Sequence, residues 1–321
     1  MMKPSLLILT KPSKKLDKFK FLISNLLGSQ CDLDQSIHGH PGVTRSLLDG
    51  LTKLKVSFVH NPIFVKHTFD LCLVPCSPEV VLQAINLKRC GLIKKLLVGP
   101  NISVRSNEHN GLLARSEVDI CLVPSDWVKR AYIEDEPSLK KRISVWYAGV
   151  DEKFWSPTKL NKPKDSKKIL IYCKTDNLAL CNKIQILVAR CGFIPIKIIY
   201  GQYEKETYRR VLSDCRFSIF LSPSESQGLA LAESWSMNVP SLVLRAKKNI
   251  MISGKLYTDV SSAPYLNKNV GEFWNDLNDL KILLNSDRKY YPRLWILKNM
   301  TDQISIKKLR KICEDKLGEK F

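Results

Sequence analysis

A chain of 321 residues with 44% apolar side chains is long enough to bury two cores of ordinary size and too apolar for a disordered tail. Its formal charge of +20 is spread over both halves, with 21 Lys and Arg against 13 Asp and Glu in residues 1–150 and 30 against 18 in residues 151–321. Such a surplus suits a nucleotide diphosphate, an anionic lipid surface or another polyanion, and a solvated basic surface remains open beside these.

No apolar run reaches the ~18 residues of a membrane span, and the run at residues 6–9 is too short for a signal-peptide core. The ten cysteines are scattered singly, several inside apolar runs, and no Cys-x-x-Cys occurs. They read as small buried hydrophobes in a reducing compartment, which predicts a soluble cytoplasmic protein without disulfides or a zinc site.

Residues 5–10 read as a first buried strand. The lysine-rich stretch at residues 11–27 has Leu16, Phe19, Ile23 and Leu27 near helical spacing. It is either a surface helix packing one stripe or a peripheral contact with an anionic membrane. Asp32-Leu-Asp34 has polar flanks and no strand before it, so it reads as turn chemistry. His38-x-His40 lacks a third ligand for a metal. A glycine-bearing loop at residues 38–42 then leads into an amphipathic helix.

Strands are predicted at residues 55–60, 71–74 and 92–98, with a helix over residues 79–90. Alternation at this spacing argues a parallel, doubly wound sheet. Residues 158–168 are polar, basic and proline-containing, as an interdomain linker would be. A second series follows: a strand at 169–173, a helix at 178–190, a strand at 194–200, a helix at 204–213 and a strand at 217–221. Beyond residue 244, loop chemistry at 263–273 leads into a helix, and residues 292–317 are helical in pattern.

The most informative stretch is residues 222–243, which reads as loop, helix and strand. Gly228 opens the helix and Pro240 stops it. Glu225 lies in the loop and Glu233 in the helix. Helical side chains lean toward the N-terminus, so Glu233 can reach back over the turn whose amides come from about Gln227 to Leu229. A phosphate suits those amides, and a carboxylate accepts two hydrogen bonds from neighbouring sugar hydroxyls. The plainer alternative is a surface Glu233 and a Glu225 that favours the helix dipole.

Glu225 and Glu233, set in Ser-x-Ser-Glu-x-x-Gly-Leu-x-x-x-Glu, resemble the paired-glutamate motif of retaining glycosyltransferases of the two-domain GT-B type, family four. Pro124-Ser-Asp-Trp-Val-Lys-Arg130 and Tyr147-Ala-Gly-Val-Asp-Glu-Lys-Phe-Trp-Ser-Pro157 follow in the family's order. The second resembles its Gly-Val-Asp-x-x-x-Phe-x-Pro signature. The likeness runs from about residue 97 to residue 266, and more loosely from Gly42.

The resemblance implies an α/β architecture of two Rossmann-like domains facing across a cleft, with a C-terminal helix crossing back to the first. The divisions would be an acceptor-side domain at 1–157, the linker at 158–168, a nucleotide-sugar domain at 169–290 and returning helices at 291–321. It assigns Glu225 to the donor sugar, Glu233 to the ribose, and the amides of Ser226, Gln227, Gly228 and Leu229 to phosphate and sugar. Lys174 would offset diphosphate charge, and Lys183, nine residues on, matches the family's second cation at too long a spacing. Tyr200-Gly201-Gln-Tyr203 stands where the family places the base. Gly42 and Arg45 stand where a glycine-rich turn and helix start approach the phosphates. Asn101 stands near a histidine of many members. The glycine that precedes the family's cation pair is missing, and one strand-helix unit is absent.

The expected activity is transfer of a sugar from a UDP- or GDP-linked donor to a glycan, lipid or protein acceptor. No metal or other cofactor is expected, and the configuration is expected to be retained. No Gly-x-Ser-x-Gly elbow or Gly-x-x-x-x-Gly-Lys-Ser/Thr loop points elsewhere. The alternative is a GT-B-like module without catalysis that binds an anionic membrane or, as the weaker branch for want of any recognisable module, nucleic acid.

Overall fold

Two parallel sheets, each buried on both faces, organise the chain. The computed structural model describes residues 5–11, 39–157 and 166–321. The stretch expected as a basic helix at 11–27, save Lys11, together with Asp32-Leu-Asp34, His38 and residues 158–165 of the linker, lies outside the described residues.

The chain divides into two compact units, Met1–Gly149 with Gln303–Phe321, and Val150–Asp302. The first carries β1 (Leu6–Ile8), α1 (Gly39–Lys53), β2 (Phe58–His60), β3 (Phe69–Cys76), α2 (Pro78–Arg89), β4 (Ile93–Asn101), β5 (Ile120–Val123), α3 (Asp126–Asp135) and β6 (Ile143–Val145). Its strands run parallel in the order β2-β1-β3-β4-β5-β6. Because helices cover both faces of such a sheet, its central strands are apolar almost throughout. Leu71, Cys72, Leu73 and Val74 of β3 and Leu96, Leu97 and Val98 of β4 are buried, as are Val80, Val81, Ala84 and Ile85 of α2.

The second unit carries β7 (Lys168–Cys173), α4 (Leu178–Arg190), β8 (Ile194–Ile199), α5 (Lys205–Asp214), β9 (Cys215–Leu221), α6 (Leu229–Ser236), β10 (Ser241–Leu244), the antiparallel pair β11 (Asn249–Ile252) and β12 (Lys255–Thr258), β13 (Gly271–Trp274), α7 (Leu277–Leu284) and α8 (Pro292–Asn299). Its parallel sheet has the order β13-β10-β9-β7-β8. The final helix, α9 (Asp302–Leu317), belongs from Gln303 onward to the first unit. There the Trp146 indole N–H donates to Ser305 O at 3.1 Å and Ser305 Oγ donates to Tyr147 O at 2.6 Å.

Three local readings differ from the sequence expectation. The helix α1 begins at Gly39, so Gly42 lies in its first turn and not in a loop before it. Residues 271–274 form an edge strand, because they pair in register with β10 from Ser241 to Leu244. The segment after Gly149 groups with the second unit, since Trp155 is buried there and its carbonyl accepts from Ser236 Oγ at 2.7 Å and Arg293 Nη1 at 3.0 Å. The cysteines among the described residues are free thiols, with Cys72, Cys121 and Cys215 buried as small hydrophobes. Among those residues no helix is long and apolar enough to cross a membrane.

Gly99 in β4 has φ +112°, and a Cβ there would lie 2.1 Å from Leu122 O of β5. Gly99→Ala should therefore cost about 3 kcal/mol or more of stability in chemical denaturation. A loss below about 1 kcal/mol would contradict the close approach. Burial pulls the His60 pKa down from 6.5 to about 4, and its Nε2 lies 2.9 Å from Thr10 Oγ1. The unfolded chain then takes up the proton first, so the contribution present above pH 6.5 is lost as pH falls toward 4. Thermal unfolding across that window should fall less steeply for His60→Gln than for the wild type.

Candidate functional site

In the second sheet β8 lies on one side of β7 and β9 on the other. The strand order reverses between β7 and β9, and open α/β sheets bind ligands at the carboxyl ends of the strands at such a point. Lys174 follows β7 there, and its N–H donates to Leu221 O, the last residue of β9, at 2.9 Å. That bond sets Lys174 beside the start of the loop that carries Glu225.

The loop is shaped by short local contacts. Ser222 Oγ donates to Ser224 O at 2.8 Å, and the Glu225 N–H donates to Ser261 O at 2.9 Å. Gly228 caps α6 with φ +82°, a left-handed conformation that only glycine adopts without strain. Gly228 O accepts from Ala232 N at 3.1 Å. The amides of Gly228 and Leu229 therefore stand at the positive end of the helix, with Ser226 and Gln227 in the loop just before it. Ser226 is exposed and Gln227 buried.

Beneath the loop, α6 is pinned by a buried hydroxyl network. Ser218 Oγ of β9 lies 2.8 Å from Ser234 Oγ and 2.9 Å from Ser241 Oγ, and the Trp235 indole N–H donates to Ser241 Oγ at 2.9 Å. The far end is held by Ser236 and by Arg293, which donates to Ser236 O at 2.6 Å. Burial pulls the Arg293 pKa down against the opposing pull of Glu152.

Glu225 and Lys174 meet at the edge so prepared. Lys174 Nζ lies 3.0 Å from both Oε1 and Oε2 of Glu225, with side-chain exposures of 33% and 11%. The same ammonium sits 4.7 Å from the centroid of Tyr200. Tyr172 OH and Tyr203 OH are 2.9 Å apart, and Tyr208 OH donates to Ala230 O at 2.8 Å. Burial pushes the pKa of Tyr203 and Tyr208 up, and the charges of both Glu225 and Glu233 push them further. The charges of a loop acid and a helix acid thus reach the same two tyrosines.

The other sequence candidates distribute differently. Gly201, at φ +79°, turns the chain after β8. Lys183 is exposed in the second turn of α4 and is not joined to the Lys174 and Glu225 pair. In the first unit Asn101 ends β4 opposite Cys76 of β3, at the carboxyl edge of its sheet. Arg45 pairs with Asp49 at 2.9 Å and donates to Gly149 O at 3.3 Å. One set of three carboxylates, Asp151, Glu152 and Asp302, has oxygens within 4.8 Å of one another. Asp151 Oδ1 accepts from the amides of Lys153 and Phe154, at 3.2 and 3.4 Å, as a turn cap does. The supports supplied by Ser261, Tyr172, Tyr208 and Arg293 escaped the sequence reading. Only the aromatic spacing from Tyr200 to Tyr208 gave any signal for them.

No protein-family model matches the chain, and no curated protein matches its sequence. Solved structures do resemble it. A galactosyltransferase of the lipopolysaccharide outer core, WaaB, in its apo form, superposes at a TM-score of 0.58 with 11% identity, covering 97% of this chain and 99% of that one. The Anabaena protein HepE in complex with UDP gives 0.54 and 9%, covering 97% and 100%. Sucrose-phosphate synthase from Thermosynechococcus elongatus gives 0.52 and 12%, covering 98% and 100%. At such identities the likeness speaks for the fold, which is the two-domain α/β arrangement of the GT-B type.

The carboxylate and ammonium are mutually supporting, because a partly buried charge loses hydration that its partner must replace. Lys174→Met and Glu225→Gln should each lower the unfolding free energy by about 1 to 2 kcal/mol. The double variant should lose less than the sum, with a coupling of about 1 kcal/mol in a double-mutant cycle. Strict additivity would show that the contact contributes nothing.

Proposed function

We propose that this protein is a glycosyltransferase that takes a sugar from a nucleotide-diphosphate donor bound at the carboxyl edge of its second sheet. The observation that carries the reading is the placement of Lys174 and Glu225, 3.0 Å apart, at the reversal of strand order and before the start of α6. The UDP bound in the Anabaena HepE structure and the galactosyl transfer named for WaaB support the donor class.

Breaking the bond between an anomeric carbon and a phosphate oxygen leaves negative charge growing on the diphosphate. Groups already oriented toward that charge lower the barrier most. Lys174 carries three N–H groups and uses its side facing Glu225 for the carboxylate, which leaves donor capacity for a phosphate oxygen. The amides of Ser226 to Leu229 add the partial positive charge of a helix start. Glu225's own amide is engaged with Ser261 O, so the amide cradle begins one residue later.

Glu225 would then face the donor sugar, with its orientation held by Lys174 at both oxygens. Glu233 would accept from the ribose hydroxyls. Positive charge supplied in this way would serve without a metal, and retention is the outcome that the resemblance to the paired-glutamate motif implies. The acceptor would be a glycan, lipid or protein. Nothing in the site favours the reading of a module without catalysis.

The test is release of UDP or GDP from a panel of nucleotide sugars by the purified chain. Glu225→Ala should lower the rate by about 100-fold or more, and Lys174→Ala by a similar factor, through loss of charge stabilisation in the transition state. Glu233→Ala should weaken donor affinity about tenfold, the equivalent of ~1.4 kcal/mol. Equal release by wild type and Glu225→Ala would remove Glu225 from the mechanism.

A further inference from the structure

The antiparallel arm β11 and β12 interrupts the connection between β10 and β13, two strands that already pair directly with each other. In its register Met251 stands opposite Leu256, and Ile250 opposite Tyr257. Alternate residues of a strand face opposite sides, so these pairs occupy the two faces of the ribbon. Tyr257 is 4% exposed, whereas Met251 and Leu256 are 64% and 51% exposed. The arm therefore turns its aromatic residue inward and its largest aliphatic pair outward, the reverse of a solvated outer face.

Two cations stand at the base of that pair. Lys247 and Lys248 are exposed directly before β11, whereas Lys255 of β12 lies over the inward-turned Tyr257 ring at 5.0 Å. No Asp or Glu occurs between Arg245 and Thr258. The base of the arm is closed by Ser262 Oγ donating to Leu244 O at 2.6 Å, and the next residue back, Ser261, supplies the carbonyl that holds the Glu225 amide. The arm thus springs from the edge of the sheet that carries the candidate site.

The geometry points to the arm as a docking element for an anionic lipid surface. An exposed aliphatic pair with two exposed lysines at its base matches the headgroup boundary, where apolar side chains sink slightly and ammonium groups meet lipid phosphates. The charge selects lipid over neutral partners. Two exposed side chains on a two-stranded ribbon fall short of the ~800 Å² per partner of a stable protein interface, while a bilayer asks for no complementary shape. Nucleic acid is disfavoured because the arm's one aromatic ring is turned inward, away from any base. The docking goes beyond the donor reading and does not depend on it, since it rests on the exposure of Met251, Leu256, Lys247 and Lys248 alone.

The full chain is tested by co-flotation with phosphatidylcholine vesicles and with vesicles that also contain phosphatidylglycerol. Wild type should float with the anionic vesicles only, and added salt should release it. Met251→Ser with Leu256→Ser, and separately Lys247→Glu with Lys248→Glu, should reduce the bound fraction at least about tenfold while leaving Tm and nucleotide release unchanged. Wild type that ignores anionic vesicles, or variants that float as wild type does, would overturn the proposal. So would a wild-type dimer in solution that the Met251 and Leu256 changes split, since a second copy would then be what covers the pair.

Discussion

The contact between Lys174 and Glu225 joins the ends of two neighbouring strands of the second unit at the candidate site. Neither residue belongs to a strand or a helix; Lys174 directly follows β7, Glu225 lies four residues beyond the end of β9, and the pairing of β7 with β9 brings the two strand ends together. A carboxylate that is mostly shielded from water requires a compensating cation, and the N–H of the same lysine is bonded to the end of the neighbouring strand. The loop, its glycine cap and the helix behind it inherit their positions from that pairing. The buried serine network then fixes the helix against the sheet with short directional bonds, which tolerate less displacement than apolar packing alone.

Much of this was legible in the residues. Strong alternation of apolar runs with helical stripes gave α4 and β10 with their observed ends, because both are bounded by clear punctuation: Asn177, whose Oδ1 accepts from Leu180 N, and Pro240. The strand at residues 271–274 was read as loop leading to helix because Gly271 and Glu272 lack any β signal of their own. Their strand character comes entirely from the neighbour they pair with. The arm at residues 249–258 carries no signal in the sequence for a related reason, since a two-stranded ribbon of mixed side chains has no periodic signature to separate it from a loop.

The candidate site divides in the same way. Glu225, Gly228 and Glu233 could be read because strand, loop and helix follow one another without interruption, so spacing in sequence becomes spacing in space. Ser261, Tyr172 and Arg293 could not, since their roles arise from contacts across long sequence separations. Lys174 stands directly after a strand, as the family likeness implies, whereas Lys183, whose spacing is already too long in the sequence, lies exposed on α4. The resemblance in fold at about one identical residue in ten has the same origin: strand order and burial survive exchanges of side chain that a motif does not.

The division of the chain also sets an order on biosynthesis. Residues 150–302 form one continuous stretch, so the second unit has every segment it needs before residues 303–321 have left the ribosome. The first unit, begun earlier, must wait for those residues, because the carbonyl that receives the Trp146 indole and the hydroxyl that binds Tyr147 both belong to Ser305. During translation the first unit thus receives the segment that carries Ser305 only after all of residues 150–302 have been made.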